Sequence, residues 1–195
     1  MIEGESILCF APEKWEHIWR NRHQIMSRLA RCNKVLFVEP RPYLRDVWRA
    51  WREGEIGWSD LRRPRVTQVR DNLWVYHPPL YAPLSGRFPL DVMFRWLRES
   101  QMKTTLHTLG FQKPLLWLYR PSMADVVGRF GEKLVIYHIV DKYAAYDADY
   151  TSVYTESRRA SIERREQDLV RAADLVIVTS NSLLEEKQEY NLNIH

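Results

Sequence analysis

The second half of the chain places a carboxylate directly after a buried-strand pattern. Residues 133–140 (KLVIYHIV) form a nearly continuous apolar run that stops at Asp141, and Tyr143 and Tyr146 follow in a short acidic, aromatic segment. Such a run predicts a strand, and in open α/β sheets ligands bind outside the carboxyl ends of the strands. Asp141 is therefore a candidate for contact with a ligand. The alternative is that Asp141 caps the next helix or pairs with an arginine such as Arg120.

The loop after the first predicted strand carries aromatic and basic side chains near the start of a helix. It contains neither G-x-G-x-x-G nor G-x-x-x-x-G-K-[ST], which argues against a dinucleotide-binding dehydrogenase and a P-loop nucleotidase. Aromatic faces together with arginine and histidine suit a ligand that carries a sugar or a phosphate. The candidate ligand contacts in this loop are Trp15, His17, Trp19, Arg22 and His23. The alternative is a packed surface loop whose tryptophans cover the end of the sheet.

A third group of candidates combines tryptophan with arginine at helical spacing in residues 43–65. Residues 41–70 hold eight arginines and four acids, and eight minus four equals the net charge of the whole chain, +4. A basic, aromatic, amphipathic segment suits an anionic membrane surface. An ordinary helix with core tryptophans is an equally good interpretation, and nucleic acid fits less well. The candidate membrane-surface residues are Arg45, Trp48, Arg49, Trp51, Arg52 and Trp58.

Strand-like and helix-like segments alternate along the chain. The predicted strands lie within residues 6–12, 34–40, 65–79, 113–121, 133–141 and 175–181, and the third range holds two short strands around the turn Asp71–Asn72. The predicted helices lie within residues 20–32, 90–110, 122–131, 152–174 and 183–190. Strands without polar alternation indicate a mostly parallel sheet that is covered on both faces. The fold class is therefore α/β: a Rossmann-like, doubly wound sheet of about six or seven strands with helices on both faces, in one domain over residues 1–195.

The helical segments carry two local predictions. The helix within residues 90–110 should turn an apolar stripe to the core, formed by Leu90, Met93, Phe94 and Leu97. Ser182, with Glu185 three residues later, predicts the N-terminal cap of the last helix.

Cysteine and histidine give no metal-site pattern, so we expect no bound metal. Cys9 and Cys32 lie in apolar or helical contexts, which indicates a reduced, cytoplasmic protein without a disulfide framework. His77 and His138 lie in apolar strand contexts with no second ligand at metal spacing, so we expect satisfied core or edge histidines. No apolar run reaches the roughly 18 residues that span a bilayer, and the start of the chain lacks a signal-peptide pattern.

Residues 162–187 (IERREQDLVRAADLVIVTSNSLLEEK) carry a recognisable pattern. It runs from Glu166 and Leu169 in a helix, through Ala-Asp before an apolar strand, to Ser180 at the strand end and Leu183 three residues later. This pattern resembles a stretch in the N-terminal domain of GT-B-fold glycosyltransferases. Residues 19–40 and 134–146 resemble the bacterial branch of that group that builds exopolysaccharide and teichuronic acid.

The resemblance implies the acceptor-binding half of a glycosyltransferase of envelope polysaccharide synthesis. The full enzyme would transfer a sugar from a nucleotide-sugar donor to a lipid-linked or glycan acceptor, as a peripheral protein at the inner face of the cytoplasmic membrane. The domain itself would bind no cofactor. In such proteins the chain continues beyond a segment like residues 191–195 (NLNIH) into a second Rossmann domain that binds the donor. We therefore expect that this chain lacks the donor domain and is inactive alone.

A further departure and two rival functions accompany the resemblance. Many GT-B enzymes have a glycine-rich first loop, and this chain has none. The first rival is a non-catalytic Rossmann-like module that binds a glycan or a protein. The second is a nucleic-acid-binding domain that uses residues 41–70.

Within the resemblance, Asp141 takes the role of candidate catalytic base. A hydroxyl acceptor is a poor nucleophile until a base takes its proton. His23 or His17 is the alternative base on the first loop, and Tyr143 and Tyr146 would stack on the acceptor sugar or hydrogen-bond it. A retaining mechanism needs no base at this position, and Asp141 would then hold the acceptor.

Overall fold

The computed structural model describes residues 2–60, 65–140 and 156–195, and for residues 156–159 it describes the backbone alone. The chain divides into two compact units, Met1–Lys113 and Pro114–His195. Each unit is an alternation of strands and helices, as the apolar runs of the sequence predict.

The described residues of the first unit form four strands and three α-helices. In chain order these are β1 (Ser6–Phe10), α1 (Asn21–Leu29), β2 (Lys34–Val38), α2 (Leu44–Arg52), β3 (Val66–Arg70), β4 (Leu73–Tyr76) and α3 (Leu90–Thr108). β1 runs parallel to β2, and β2 runs parallel to β4 with Val38 opposite Tyr76. In β1 and β2 every residue after the first is buried, which explains why these strands read as continuous apolar runs.

A tight hairpin joins β3 to β4 in antiparallel pairing. The turn lies at Asp71–Asn72, where Asn72 takes a positive φ of 60°, a conformation that asparagine tolerates better than most residues. This confirms the two short strands that the turn dipeptide predicts. No residue of β3 is buried: Val66 and Val69 are half-buried and the other three residues are exposed, as expected of an edge strand.

The second unit contains three parallel strands and two described α-helices. In chain order its elements are β5 (Leu115–Leu118), a 3-10 helix (Pro121–Val126), β6 (Leu134–Ile139), α4 (Glu156–Ala172), β7 (Leu175–Val178) and α5 (Asn181–Lys187). β5 pairs with β6, and β6 pairs with β7. The end of the chain lies parallel to β7, because Val176 and Ile194 form a bridge and His195 N–H donates to the Val176 carbonyl at 2.9 Å.

The residues that carry the family resemblance pack this second unit together. Glu166 of α4 accepts from the Tyr137 hydroxyl of β6 at 3.2 Å and from Lys187 Nζ of α5 at 2.7 Å. Asp174 Oδ2 accepts from Val135 N–H at 2.7 Å, so it fastens the start of β7 to β6. Leu169 and Leu183 are buried. The pattern therefore has a structural explanation within one unit.

The strands of the first unit lie in the order β3-β4-β2-β1, and those of the second unit lie in the order β5-β6-β7. All the neighbour pairs described above are parallel except β3 with β4. The prediction of a Rossmann-like α/β fold with a mostly parallel sheet of six or seven strands is confirmed. Among the described residues no helix is both long enough and apolar enough to cross a bilayer.

Two local helix predictions are wrong. The residues of α3 that are buried are Arg98, Met102 and Leu106, whereas Leu90 and Met93 are exposed. The predicted stripe has helical spacing, but none of its four residues is fully buried, and Phe94 and Leu97 are half-buried. The last helix begins two residues earlier than the capping pattern predicts, because Ser180 Oγ accepts from Leu183 N–H at 3.3 Å.

Candidate functional site

Glu39 is a buried carboxylate at the carboxyl end of β2. Its backbone N–H donates to the Tyr76 carbonyl at 3.1 Å, so the adjacent end of β4 fixes its position. One carboxylate oxygen, Oε1, accepts from the backbone N–H of Trp15, in the loop after β1, at 3.0 Å. The other oxygen, Oε2, lies 2.9 Å from Nδ1 of His77. Residues that follow three parallel strands therefore meet at this carboxylate.

His77 follows β4 and is the open member of the pair, with 40% of its side chain exposed against 10% for Glu39. Because an ionised carboxylate only accepts hydrogen bonds, Nδ1 of His77 carries the hydrogen that points to Glu39. In the neutral ring Nε2 then carries the lone pair, and it lies 3.1 Å from the Thr67 hydroxyl of β3, which can donate to it. An imidazole oriented in this way by a carboxylate is suited to take a proton at Nε2.

The pKa of Glu39 supports an ionised carboxylate. Burial pushes this pKa upward, but the hydrogen bonds from His77 and from the Trp15 N–H outweigh burial and hold the pKa below its usual value. Glu39 is therefore negatively charged at neutral pH. It holds one tautomer of His77 and stabilises the imidazolium that forms when His77 takes a proton.

An aromatic cluster borders this pair. The Trp15 ring makes edge contacts with Trp19, His23 and Phe37, with ring centroids 5.4, 5.3 and 5.0 Å apart. Trp19 remains exposed and Trp15 is half-buried. Such faces suit the apolar side of a sugar ring.

A cation and a further aromatic ring lie beside His77. The carbonyl of Arg65 accepts from His77 N–H at 2.8 Å. The Arg65 guanidinium lies over the Tyr81 ring at 4.6 Å. The backbone of Arg65 is therefore fixed at His77, while its guanidinium stacks on Tyr81.

His23 has its ring nitrogens occupied by backbone groups. Nδ1 accepts from Arg20 N–H at 3.1 Å and Nε2 lies 3.4 Å from the Lys14 carbonyl, and the residue is fully buried. The ring also stacks on Phe37 at 5.3 Å. This geometry favours a positioning role for His23, which fixes the loop that carries Trp15, over the role of a base.

The other predicted contacts of the first loop divide into two groups. Arg22 Nε forms a close ion pair with Glu13 Oε1 at 2.7 Å, and both side chains are largely buried. His17 is exposed. Thus the structure brings Trp15, Trp19 and His23 together, whereas Arg22 stabilises its own loop. Asp141, Tyr143 and Tyr146 lie outside the described residues.

The predicted membrane-surface tryptophans form an exposed cluster. Trp48 contacts Trp51, and Trp51 contacts Trp58, each with ring centroids 5.9 Å apart. None of these rings is in the core, and Trp58 is 73% exposed. The arginines of α2 are exposed as well, with Arg45 and Arg49 both close to Asp46.

Two open depressions lie at the opposite, amino edge of the first unit. The one of about 520 Å³ is lined by residues at the starts of β1 and β2, among them Ser6, Asn33 and Lys34. The second lies beside it, near Arg31 and Asn72. We place the candidate site at the carboxyl edge instead, because the ionised and hydrogen-bonded groups converge there and ligands of open α/β sheets bind at that edge.

The described part of the chain holds no group of three or more histidine, cysteine, aspartate or glutamate side chains arranged to bind a metal ion. No protein-family model matches the chain, and no curated protein sequence matches it. The site geometry therefore carries the functional argument.

Sequence reasoning did not find Glu39 and did not expect a role for His77. Both residues follow a buried strand and precede proline, in the segments VEP and YHPP. Each therefore occupies the same position at the carboxyl end of its strand. That shared position was the available signal, but the sequence does not show that β2 and β4 are neighbours.

Proposed function

We propose that the chain is the acceptor-binding half of a glycosyltransferase and that the Glu39–His77 pair receives the proton of the acceptor hydroxyl. The observation that carries the proposal is a half-exposed imidazole held by a buried carboxylate at the carboxyl ends of parallel strands. The aromatic rings of Trp15 and Trp19 would contact the acceptor sugar. The lipid-linked or glycan acceptor of envelope synthesis and the nucleotide-sugar donor come from the sequence resemblance.

In the proposed reaction the acceptor oxygen bonds to the anomeric carbon of the donor sugar while the bond from that carbon to the nucleotide diphosphate breaks. The bonding pair leaves with the diphosphate. The acceptor proton passes to Nε2 of His77, where the acceptor hydroxyl takes the position that Thr67 Oγ1 now occupies. Glu39 stabilises the resulting imidazolium across its 2.9 Å contact.

The direct test is sugar transfer by the product of the whole gene, including any segment encoded beyond residue 195. Radiolabelled UDP-, GDP- and dTDP-sugars are offered with a lipid extract and with oligosaccharide acceptors. We expect transfer from one donor class, and a loss of about 10²–10⁴ in turnover in His77→Gln. His107→Gln, which changes an exposed histidine in the last turn of α3, is the matched control and should keep full turnover.

Three results would count against the proposal. Normal turnover in His77→Gln would remove this residue as the base. If Asp141→Asn then loses turnover while His77→Gln does not, the base is Asp141, as the sequence predicts. Binding of a glycan or a protein without transfer from any donor would instead identify a binding module.

A further inference from the structure

Two segments of the first unit expose large apolar side chains. The first comprises Trp48 and Trp51 of α2 together with Trp58. The second is the start of α3 and the residues before it, where Phe88 is 87% exposed. Its other exposed apolar residues are Leu90, Val92, Met93 and Trp96.

Exposure on this scale is unusual for a surface that contacts only water. Large apolar patches that stay exposed mark interaction sites in folded proteins. No residue of α2 is buried, and its tryptophans Trp48 and Trp51 contact each other and Trp58. Likewise, the second half of α3 is anchored by the buried Met102 and Leu106, whereas four large apolar residues of its first half are exposed.

Backbone pairing fastens the beginnings of the two segments to each other. Tyr43 and Leu84 form a parallel bridge. Leu44 N–H donates to the Leu84 carbonyl at 2.9 Å, and Leu84 N–H donates to the Pro42 carbonyl at 2.8 Å. The chain therefore leaves this bridge in the same direction in both segments, towards α2 in one and towards α3 in the other.

The charges on these segments indicate what covers them. Three arginines and one aspartate lie on α2, and the second segment holds Arg87 and Arg95 with Asp91. Tryptophan with arginine suits the headgroup region of an anionic bilayer, and the aliphatic side chains of α3 suit its acyl boundary. Nucleic acid would use the arginines but would leave the aliphatic side chains uncovered.

We propose that α2, Trp58 and residues 87–96 form one docking surface for an anionic phospholipid bilayer. The tryptophans, Phe88 and the exposed aliphatic residues enter the headgroup–acyl boundary, and Arg45, Arg49 and Arg52 contact lipid phosphates. The inference does not depend on glycosyl transfer. It goes beyond the sequence prediction because it adds the start of α3, which the sequence pattern assigns to the core.

The first test is co-sedimentation of the chain of residues 1–195 with vesicles. Vesicles of phosphatidylglycerol and phosphatidylcholine in equal amounts are compared with pure phosphatidylcholine at low and high salt. We expect binding to the anionic vesicles, weakened by salt, and a loss of about 100-fold in the partition coefficient in the triple variant R45E/R49E/R52E. R28E/R164E/R165E removes three other exposed arginines with the same change in net charge and should lose far less.

The second test separates the two segments. Phe88→Ser and Trp96→Ser should each lower the partition coefficient by about tenfold while the melting temperature stays unchanged, because both side chains are exposed. Unchanged binding in both variants would remove α3 from the surface.

The proposal as a whole is overturned by any of four results. These are no binding to the anionic vesicles at low salt, equal losses in the two triple variants, self-association through the same residues in sedimentation velocity, and tighter binding to single-stranded RNA than to the vesicles.

Discussion

In each unit of the chain a carboxylate is paired with a basic side chain, a histidine in the first unit and a lysine in the second. In the first unit Glu39 Oε2 lies 2.9 Å from His77 Nδ1, and in the second unit Glu166 Oε2 lies 2.7 Å from Lys187 Nζ. The two pairs differ in access to water. The side chains of Lys187 and Glu166 are only 7% and 6% exposed, whereas that of His77 is 40% exposed.

The buried pair is suited to structure and not to proton transfer. Glu166 is enclosed by Lys187 and by the Tyr137 hydroxyl, so α4, α5 and β6 are joined at one carboxylate. Burial alone would lower the pKa of Lys187, but the hydrogen bonds to Glu166 and Glu186 outweigh it and raise this pKa above its usual value. The lysine stays charged, and its side chain is almost entirely buried.

The open pair has the opposite arrangement. Its carboxylate is buried and fixed by Trp15 N–H, while 40% of its imidazole side chain is exposed. The comparison teaches that distance alone does not identify a catalytic pair. The two pairs differ in whether the group that would take the proton is exposed. Substitutions in each pair, measured for both stability and activity, test this difference.

The largest effect on stability is expected at Lys187. Lys187→Met leaves the Glu166 charge buried without its partner, which should lower the free energy of unfolding by about 3–5 kcal/mol. Urea denaturation followed by circular dichroism measures the change. Glu186→Gln is the control, because it alters only the more exposed partner of Lys187 and should cost less than about 1 kcal/mol. Equal losses of unfolding free energy in the two variants would mean that the buried contact with Glu166 stabilises the fold no more than the exposed contact with Glu186.

A smaller loss of stability is expected at Glu39. Glu39→Gln removes the charge from two hydrogen bonds and should cost about 1.5–3 kcal/mol at pH 7. The pKa of Glu39 is lowered in the folded protein, so its contribution is fully present above the pKa of the unfolded chain and is lost as the pH falls through the folded value. The difference between wild type and variant should therefore disappear on acidification. A difference that stays constant down to pH 2 would contradict the lowered pKa.

The smallest loss of stability is expected at His77, although this residue should matter most for activity. His77→Gln should change the free energy of unfolding by less than about 1 kcal/mol, because the side chain is half exposed. Urea denaturation of this variant measures the change in the free energy of unfolding, and the transfer assay measures its turnover. A large loss of stability in His77→Gln would remove the contrast between the two pairs.

Most strands could be predicted from the sequence because each is a short apolar run, and the turn at Asp71–Asn72 predicted β3. The orientation of some helices could not be predicted. The pattern of α3 continues through both halves of the helix, yet only Met102 and Leu106 of its apolar residues are buried. Helical spacing shows which residues share a face, and it does not show whether that face meets the core or a partner. The cap at Ser180 was missed because Ser182 offers the same local pattern two residues later.

The candidate site could be predicted only in part. Trp15, Trp19 and His23 are near one another in sequence, so a single loop identifies them. Glu39 and His77 are 38 residues apart, and they meet because β2 and β4 are neighbours in the sheet. Strand order depends on long-range pairing, which local patterns do not determine.

The two cysteines of the chain occupy very different surroundings. Cys9 is fully buried in β1, and burial raises the pKa of its thiol far above the usual range, whereas Cys32 is exposed between α1 and β2. A thiol-reactive dye or spin label should therefore attach to the natural sequence at Cys32 alone. Because Cys32 precedes β2 and Glu39 follows it, the label would sit at the opposite edge of the first unit from the proposed site and could report on ligands without blocking them.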